Sequence, residues 1–318
     1  MILTFFLVAL GFLSTPVILR RPGRTIQPQL WTRLCTSSLI VGTVLIMVGG
    51  LVSSLATFFT LVGEHRIAQD CELMFGQFSQ AYSPISFVAL SLVPLSLGLG
   101  LRSLARYRRV VRRAWVEPGM GEHINLDNNV ESVVIESTPP RAFSVPRRGL
   151  RSSQIVVTTG LLATLSPDQV DVVRAHERAH INFGHGRYLA TALVVERMFW
   201  SWAPVRLATA ELRLAIERSA DESSVYQSRQ PRSVLQSALV RLALGAESPA
   251  LASFSSLAGL THRLDAMDRE TATGASLGSW AAVFLSLTAL SIGALFGLSQ
   301  IGHGGFCLLS MLHNCALG

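Results

Sequence analysis

The stretch Val173-Arg174-Ala175-His176-Glu177-Arg178-Ala179-His180 decides the reading of this chain. Two histidines four residues apart on a helix stack on one face, so both imidazoles can reach one Zn²⁺. Glu177, between them, points to the same site without having to bind the metal. It can take a proton from an activated water and serve as general base in peptide hydrolysis. Three residues are a short pattern, so their surroundings decide its weight. Ser166-Pro167-Asp168-Gln169 opens a helix here: Ser166 suits the N-cap, Pro167 the first helical position and Gln169 the capping box. Val170, Val173 and Ala175 to Ala179 continue a helix-compatible run up to Gly184. The motif is therefore predicted about two turns into a helix rather than in a loop.

Catalytic zinc usually takes three protein groups and keeps one position for water. A further histidine six residues after His180 is excluded by register, because Gly186 stands there and His185 comes one residue early. Glu217-Arg218-Ser219-Ala220-Asp221 is the better source, directly after the helix-forming run Ala208–Ile216. Glu217 and Asp221 are four apart and share a face. In isolation they would read as solvated helix charges. Behind the histidine pair, Glu217 reads as the third ligand and Asp221 as acceptor of the free ring N–H of a zinc histidine. The expected set is His176, His180 and Glu217 around one Zn²⁺ per chain, with Glu177 as base. Arg263, His262 and Tyr226 are candidates for polarising the scissile carbonyl, Arg263 first, against structural or surface roles for all three.

The chain around this motif is that of a membrane protein. Only 15% of its 318 residues are charged, and mean hydropathy is +0.42. Four stretches free of Lys, Arg, Asp and Glu are long enough to cross a bilayer: Ile2–Leu19, Leu34–Val62, Ser83–Leu101 and Leu277–Ile301. The first has no positive residue before it and Arg20, Arg21 and Arg24 after it, which fits an N-outside anchor better than a cleaved signal. Arg20, Arg21, Arg24 and Arg33 follow the first span, and Arg102, Arg106, Arg108, Arg109, Arg112 and Arg113 follow the third. The positive-inside rule makes both segments cytoplasmic. The expected organisation is residues 1–101 as three spans, 102–276 as a cytoplasmic protease domain, 277–301 as the fourth span and 302–318 as a short outer tail, with both termini outside.

The net charge of +7 does not indicate nucleic acid, since the arginines sit beside the spans, where topology and anionic lipid account for them. Cys71, Cys307 and Cys315 fall outside; they permit one disulfide with one thiol left over, or stay free in short loops. No CxxC pair is present for a cysteine metal site. Within the cytoplasmic segment, Val130–Glu136, Ala142–Val145 and Gln154–Thr158 read as strands. Gln154–Thr158 is a candidate edge for an extended substrate, or an ordinary strand. Tyr188–Val205 reads as a core helix or one lying against the bilayer, because Glu196, Arg197 and Pro204 interrupt it as a span.

Phe143-Ser144-Val145-Pro146, Ile155–Leu162, HERAH at 176–180, Phe199-Trp200-Ser201-Trp202-Ala203-Pro204 and ERSAD at 217–221 together resemble the BlaR/MecR family of membrane metallopeptidases. The resemblance covers about Ala142 to Glu222 and the four-span layout. It implies a mainly α membrane protein with four transmembrane helices and a cytoplasmic α+β zincin-like domain of gluzincin type. It also implies His176, His180 and Glu217 as ligands, Glu177 as base and Asp221 behind a ligand histidine. Members of that family detect β-lactams outside and inactivate a BlaI-like winged-helix repressor in the cytoplasm. They carry a penicillin-binding domain after the last span, where this sequence has only Gly302–Gly318, so direct β-lactam sensing is not implied. The HtpX-like and CAAX-prenyl-protease-like group shares HExxH and ExxAD but usually has glycine where this chain has Ala179.

The expectation is an integral zinc metalloprotease of the bacterial cytoplasmic membrane, its partners the bilayer and a cytoplasmic repressor, without direct nucleic-acid binding and compatible with a homodimer. The alternatives are membrane-protein quality control and a non-catalytic receptor or scaffold, against which the intact Glu177 speaks.

Overall fold

In the computed structural model, residues 2–75, 84–116, 121–127, 130–146, 153–244 and 257–268 and the single positions 281 and 288 are described. The uncharged apolar runs form long helices. They are α1 (Ile2–Ile18), α3 (Pro28–Val62) and the first part of α5 (Pro84–Arg113), with the short, basic α2 (Arg20–Gly23) and the charged α4 (His65–Phe75) between them. Pro28 sits in the first turn of α3, and Gly63, at φ 91°, ends that helix in the left-handed conformation glycine adopts freely. Among the described residues, α3 and α5 are long and apolar enough to cross a membrane. The expected first span is α1, a 17-residue helix of about 26 Å. The expected fourth span, 277–301, and the tail with Cys307 and Cys315 lie outside the described residues. Four spans are thus not established; two are supported.

Lipid gives helices little hydrophobic reason to associate, so close backbone approach at small residues does much of the work. At Gly42 in α3 an added Cβ would lie 2.7 Å from Leu13 Cγ and 2.9 Å from the Ala9 carbonyl oxygen. One turn away the Ser38 hydroxyl donates to the Phe12 carbonyl. At Gly50 an added Cβ would lie 2.7 Å from Val93 of α5. The outward face of this group is apolar and exposed, with Val44, Leu51, Phe58 and Leu61 on α3 and Phe87, Leu92, Leu95 and Leu101 on α5.

The polar half begins with a sheet of β1 (Glu122–Asp127), β2 (Val130–Ile135), β3 (Ala142–Val145) and β4 (Ser153–Thr158), in the order β1-β2-β4-β3. β2 and β4 run parallel, and the two outer pairings are antiparallel. The buried Gln154 side chain ties the end of α5 to this sheet. It accepts from Val116 N at 3.1 Å and donates to the Val116 carbonyl at 3.0 Å and to Glu131 at 3.1 Å. β4 is buried along its whole length. The reading of 154–158 as a substrate-facing edge is therefore corrected: this strand is interior, and β3 is the edge that lies beside the motif helix. A continuous apolar run such as Ile155-Val156-Val157 marks a strand covered on both faces.

Among the described residues six further helices follow: α6 (Thr159–Thr164), α7 (Pro167–Asn182), α8 (His185–Met198), α9 (Ala203–Ser228), α10 (Arg232–Leu244) and α11 (Leu257–Asp268). The stretch 188–205 is two helices with a break at 199–202, where Pro204 sits in the first turn of α9. α8 and α9 do not stand apart from the long apolar helices. Ala192, Val195, Ala208, Leu212 and Ile216 share one buried cluster with Leu13, Trp31 and Leu39. The loop between α1 and α3 is also fastened to α9. Arg24 grips Glu211 with two bonds of 3.2 and 3.0 Å, and Arg218 donates to the Arg24 carbonyl at 2.9 Å.

Candidate active site

α7 starts where its sequence says it should. The Ser166 hydroxyl accepts from Gln169 N, and Ser166 N donates back to Gln169 Oε1 at 3.1 Å. Two turns on, His176 and His180 turn their Nε2 atoms toward each other, 3.0 Å apart. α9 packs against α7 and supplies Glu217, with one carboxylate oxygen 3.5 Å from His176 Nε2 and the other 3.8 Å from His180 Nε2. The three donor atoms all lie within 4.8 Å of one another.

The far nitrogen of each ring faces a polar neighbour as well. His176 Nδ1 lies 3.0 Å from Asp221 Oδ1. His180 Nδ1 lies 2.9 Å from Nδ1 of His185, a residue only 1% exposed. Burial and then the neighbouring His180 pull His185 down to about 3, so it is neutral and its Nδ1 can accept. A His180 tautomer that donates from Nδ1 to this acceptor leaves its Nε2 lone pair free to bind metal. Gly184 makes this contact possible: at φ 63° it reverses the chain between α7 and α8. Two histidine nitrogens and a carboxylate facing one point, each ring held from behind, fit tetrahedral zinc with one position left for water.

Arg263, on α11, is 8% exposed. Its Nε donates to Asp221 Oδ2 at 2.8 Å and its Nη2 to Asp221 Oδ1 at 2.6 Å, while Nη1 lies 3.1 Å from Glu217 Oε2. Burial alone would raise both acids, but Arg263 and then His176 and His180 hold Glu217 well below the usual carboxylate range, and Arg263 and then His176 do the same for Asp221. Burial opposes charge on His176 too, yet Asp221 and Glu217 outweigh it and push this imidazole up to about 10. Burial pulls His180 below its ordinary value. The half-buried Glu177 carries a charge felt by both His180 and Arg263.

The structure thus gathers His176, Glu177, His180, Glu217, Asp221 and Arg263 in one place. Tyr226 stands 86% exposed on α9 and His262 is exposed on α11. In the sequence, His185 stands only as a histidine one residue out of register for a third ligand. No helical periodicity links it to His180, because the two lie on different helices across Gly184.

Residues 106–262, running from the end of α5 into α11, match the model of peptidase family M48. That family consists of zinc metallopeptidases, and the match supports a membrane-type zincin metallopeptidase. No solved structure matches the chain.

Proposed function

We propose that this chain is an integral-membrane zinc metalloendopeptidase that acts in signalling by cutting a cytoplasmic, BlaI-like winged-helix repressor. The observation that carries the chemistry is the convergence of His176, His180 and Glu217, with Asp221 and His185 behind the two rings. Zinc held by these three groups would polarise the scissile carbonyl and acidify the attacking water. Glu177 takes the proton from that water and returns it to the departing amine. Asp221 and His185 keep the imidazoles turned inward, and Arg263 balances the two carboxylates. An extended substrate segment would add to β3, the sheet edge beside α7, by main-chain pairing that fixes direction without demanding one sequence.

The repressor reading is supported by the arginine-rich segments, whose charge favours a cytoplasmic side for residues 102–276, and by the BlaR/MecR resemblance. Glu177→Gln tests it. The variant should keep its zinc, because Glu177 is no ligand, and lose proteolysis by a factor on the order of 10²–10⁴. In cells it should leave one specific repressor uncut and its target genes silent. Substantial turnover by the variant would sink the mechanism. Cleavage of a broad set of misfolded membrane proteins by the wild type would replace signalling with quality control.

A further inference from the structure

Residues 199–202 break the chain between α8 and α9 at the end of α8 farthest from the metal centre. Three contacts fix where that end lies relative to α5. The Tyr107 hydroxyl donates to the Gly186 carbonyl at 2.9 Å, and the Ser103 hydroxyl to the Leu193 carbonyl at 3.4 Å. A Cβ placed on Gly100 would lie 2.9 Å from Met198 Cγ. α8 therefore descends along α5 from its arginine-rich part, and its last residue meets α5 beside Leu101, where the apolar exposed surface begins.

The surface of the turn has a particular make-up. Trp200 is 62% exposed and Leu207 59%, and Arg197 and Arg206 are exposed beside them. Arg206 donates to the Trp200 carbonyl at 3.1 Å, which holds the turn together. The nearby acid, Glu196, is paired with Arg213 at 2.6 Å. The opposite side of the turn packs inward: Val205 and Ala208 are fully buried in the cluster that contains Leu13 of α1 and Leu19 just after it. The exposed side is thus apolar and aromatic at its centre and cationic at its rim, on a rigid base anchored to α1. Tryptophan concentrates at the bilayer interface, and arginine lays its stem on apolar surface while its head meets anionic headgroups.

We infer that the α8–α9 turn is a membrane-seated tip, with Trp200 and Leu207 in the headgroup–acyl boundary of the leaflet that α3 and α5 enter and Arg197 and Arg206 among its headgroups. This rests on the reading of α3 and α5 as membrane spans. It also locates the site: α8 runs 14 residues from His185 to Met198, about 20 Å, so peptides are cut close to the bilayer surface.

The test uses the full chain in vesicles of phosphatidylcholine and phosphatidylglycerol carrying acyl-brominated lipids. The emission that wild type has and Trp200→Phe lacks belongs to Trp200. It should be quenched strongly by bromines near the ester end of the chains, more weakly by bromines at their centre, and little by aqueous iodide. A control is Phe58→Trp in the Trp200→Phe background, on the exposed face of α3. If the indole introduced by Phe58→Trp is quenched by bromolipid while Trp200 answers only to iodide, the tip is wrong and the spans stand. If neither is quenched, the membrane reading falls with it. Protection of Trp200 from both quenchers would mean that a second protein surface covers it, which also overturns the inference. Arg197→Gln should reduce the gain in Trp200 quenching that phosphatidylglycerol gives over phosphatidylcholine alone; an unchanged gain would remove the headgroup contact.

Discussion

Replacing Arg263 by methionine separates a balancing role for this residue from a direct role in catalysis. The residue is 8% exposed, and its guanidinium spends three nitrogens on Asp221 and Glu217. In the metal-free protein, Arg263→Met leaves two buried carboxylates without their main counter-charge. Removing one partner of a buried ion pair costs about 3–5 kcal/mol. With zinc bound, Glu217 is occupied by the metal and Asp221 still faces His176, so the cost falls to that of one weakened charged hydrogen bond, about 1–3 kcal/mol. At roughly 2–4 °C per kcal/mol for a protein of this size class, the melting temperature should drop by about 6–20 °C without metal and by the smaller amount of about 2–12 °C with it. Thermal unfolding in detergent, with chelator or with excess zinc, reads both numbers. Equal losses in the two conditions would refute the reasoning, because they would mean that Arg263 matters only for packing. A variant that melts like wild type but loses kcat would make Arg263 a group that touches the substrate carbonyl.

Glu217→Ala should lose zinc and activity together, measured as metal content after dialysis; full occupancy would remove Glu217 from the ligand set and move attention to His185. His185→Asn should weaken zinc binding by about 10–100-fold, while kcat at saturating zinc stays near wild type; unchanged affinity would show that the contact with His180 does not orient the ring. His176 gives a pH dependence of known sign. Its folded value is raised to about 10 from 6.5, so in the metal-free protein the stabilisation from its charge is complete below pH 6.5 and disappears as pH rises through about 10. At pH 8 zinc has to displace that proton, and titration calorimetry in buffers of different ionisation heat should show about one proton released per metal bound. No release would mean that the imidazole is already neutral.

Local physics made a large part of this protein legible from its sequence. The capping box at Ser166–Gln169 and the four-residue spacing of His176 and His180 depend on neighbours along one helix, so they survive without any knowledge of the fold. The same holds for the uncharged runs that became α3 and α5, because their apolar length is read along the chain whatever they pack against. The pairing of Glu217 and Asp221 on one face was also local, but their approach to α7 was not. That approach depends on a core shared by α1, α3, α8 and α9, and on Arg24 gripping Glu211. Tertiary structure alone decided three other matters. Strand order made β3 rather than 154–158 the edge, since side-chain alternation within a strand carries no information about its neighbours. Gly184, in a left-handed conformation, set His185 behind His180, across a turn that helical periodicity cannot span. Arg263 met Asp221 and Glu217 from a separate helix because buried carboxylates require a counter-charge, and the sequence does not say from how far away it will come.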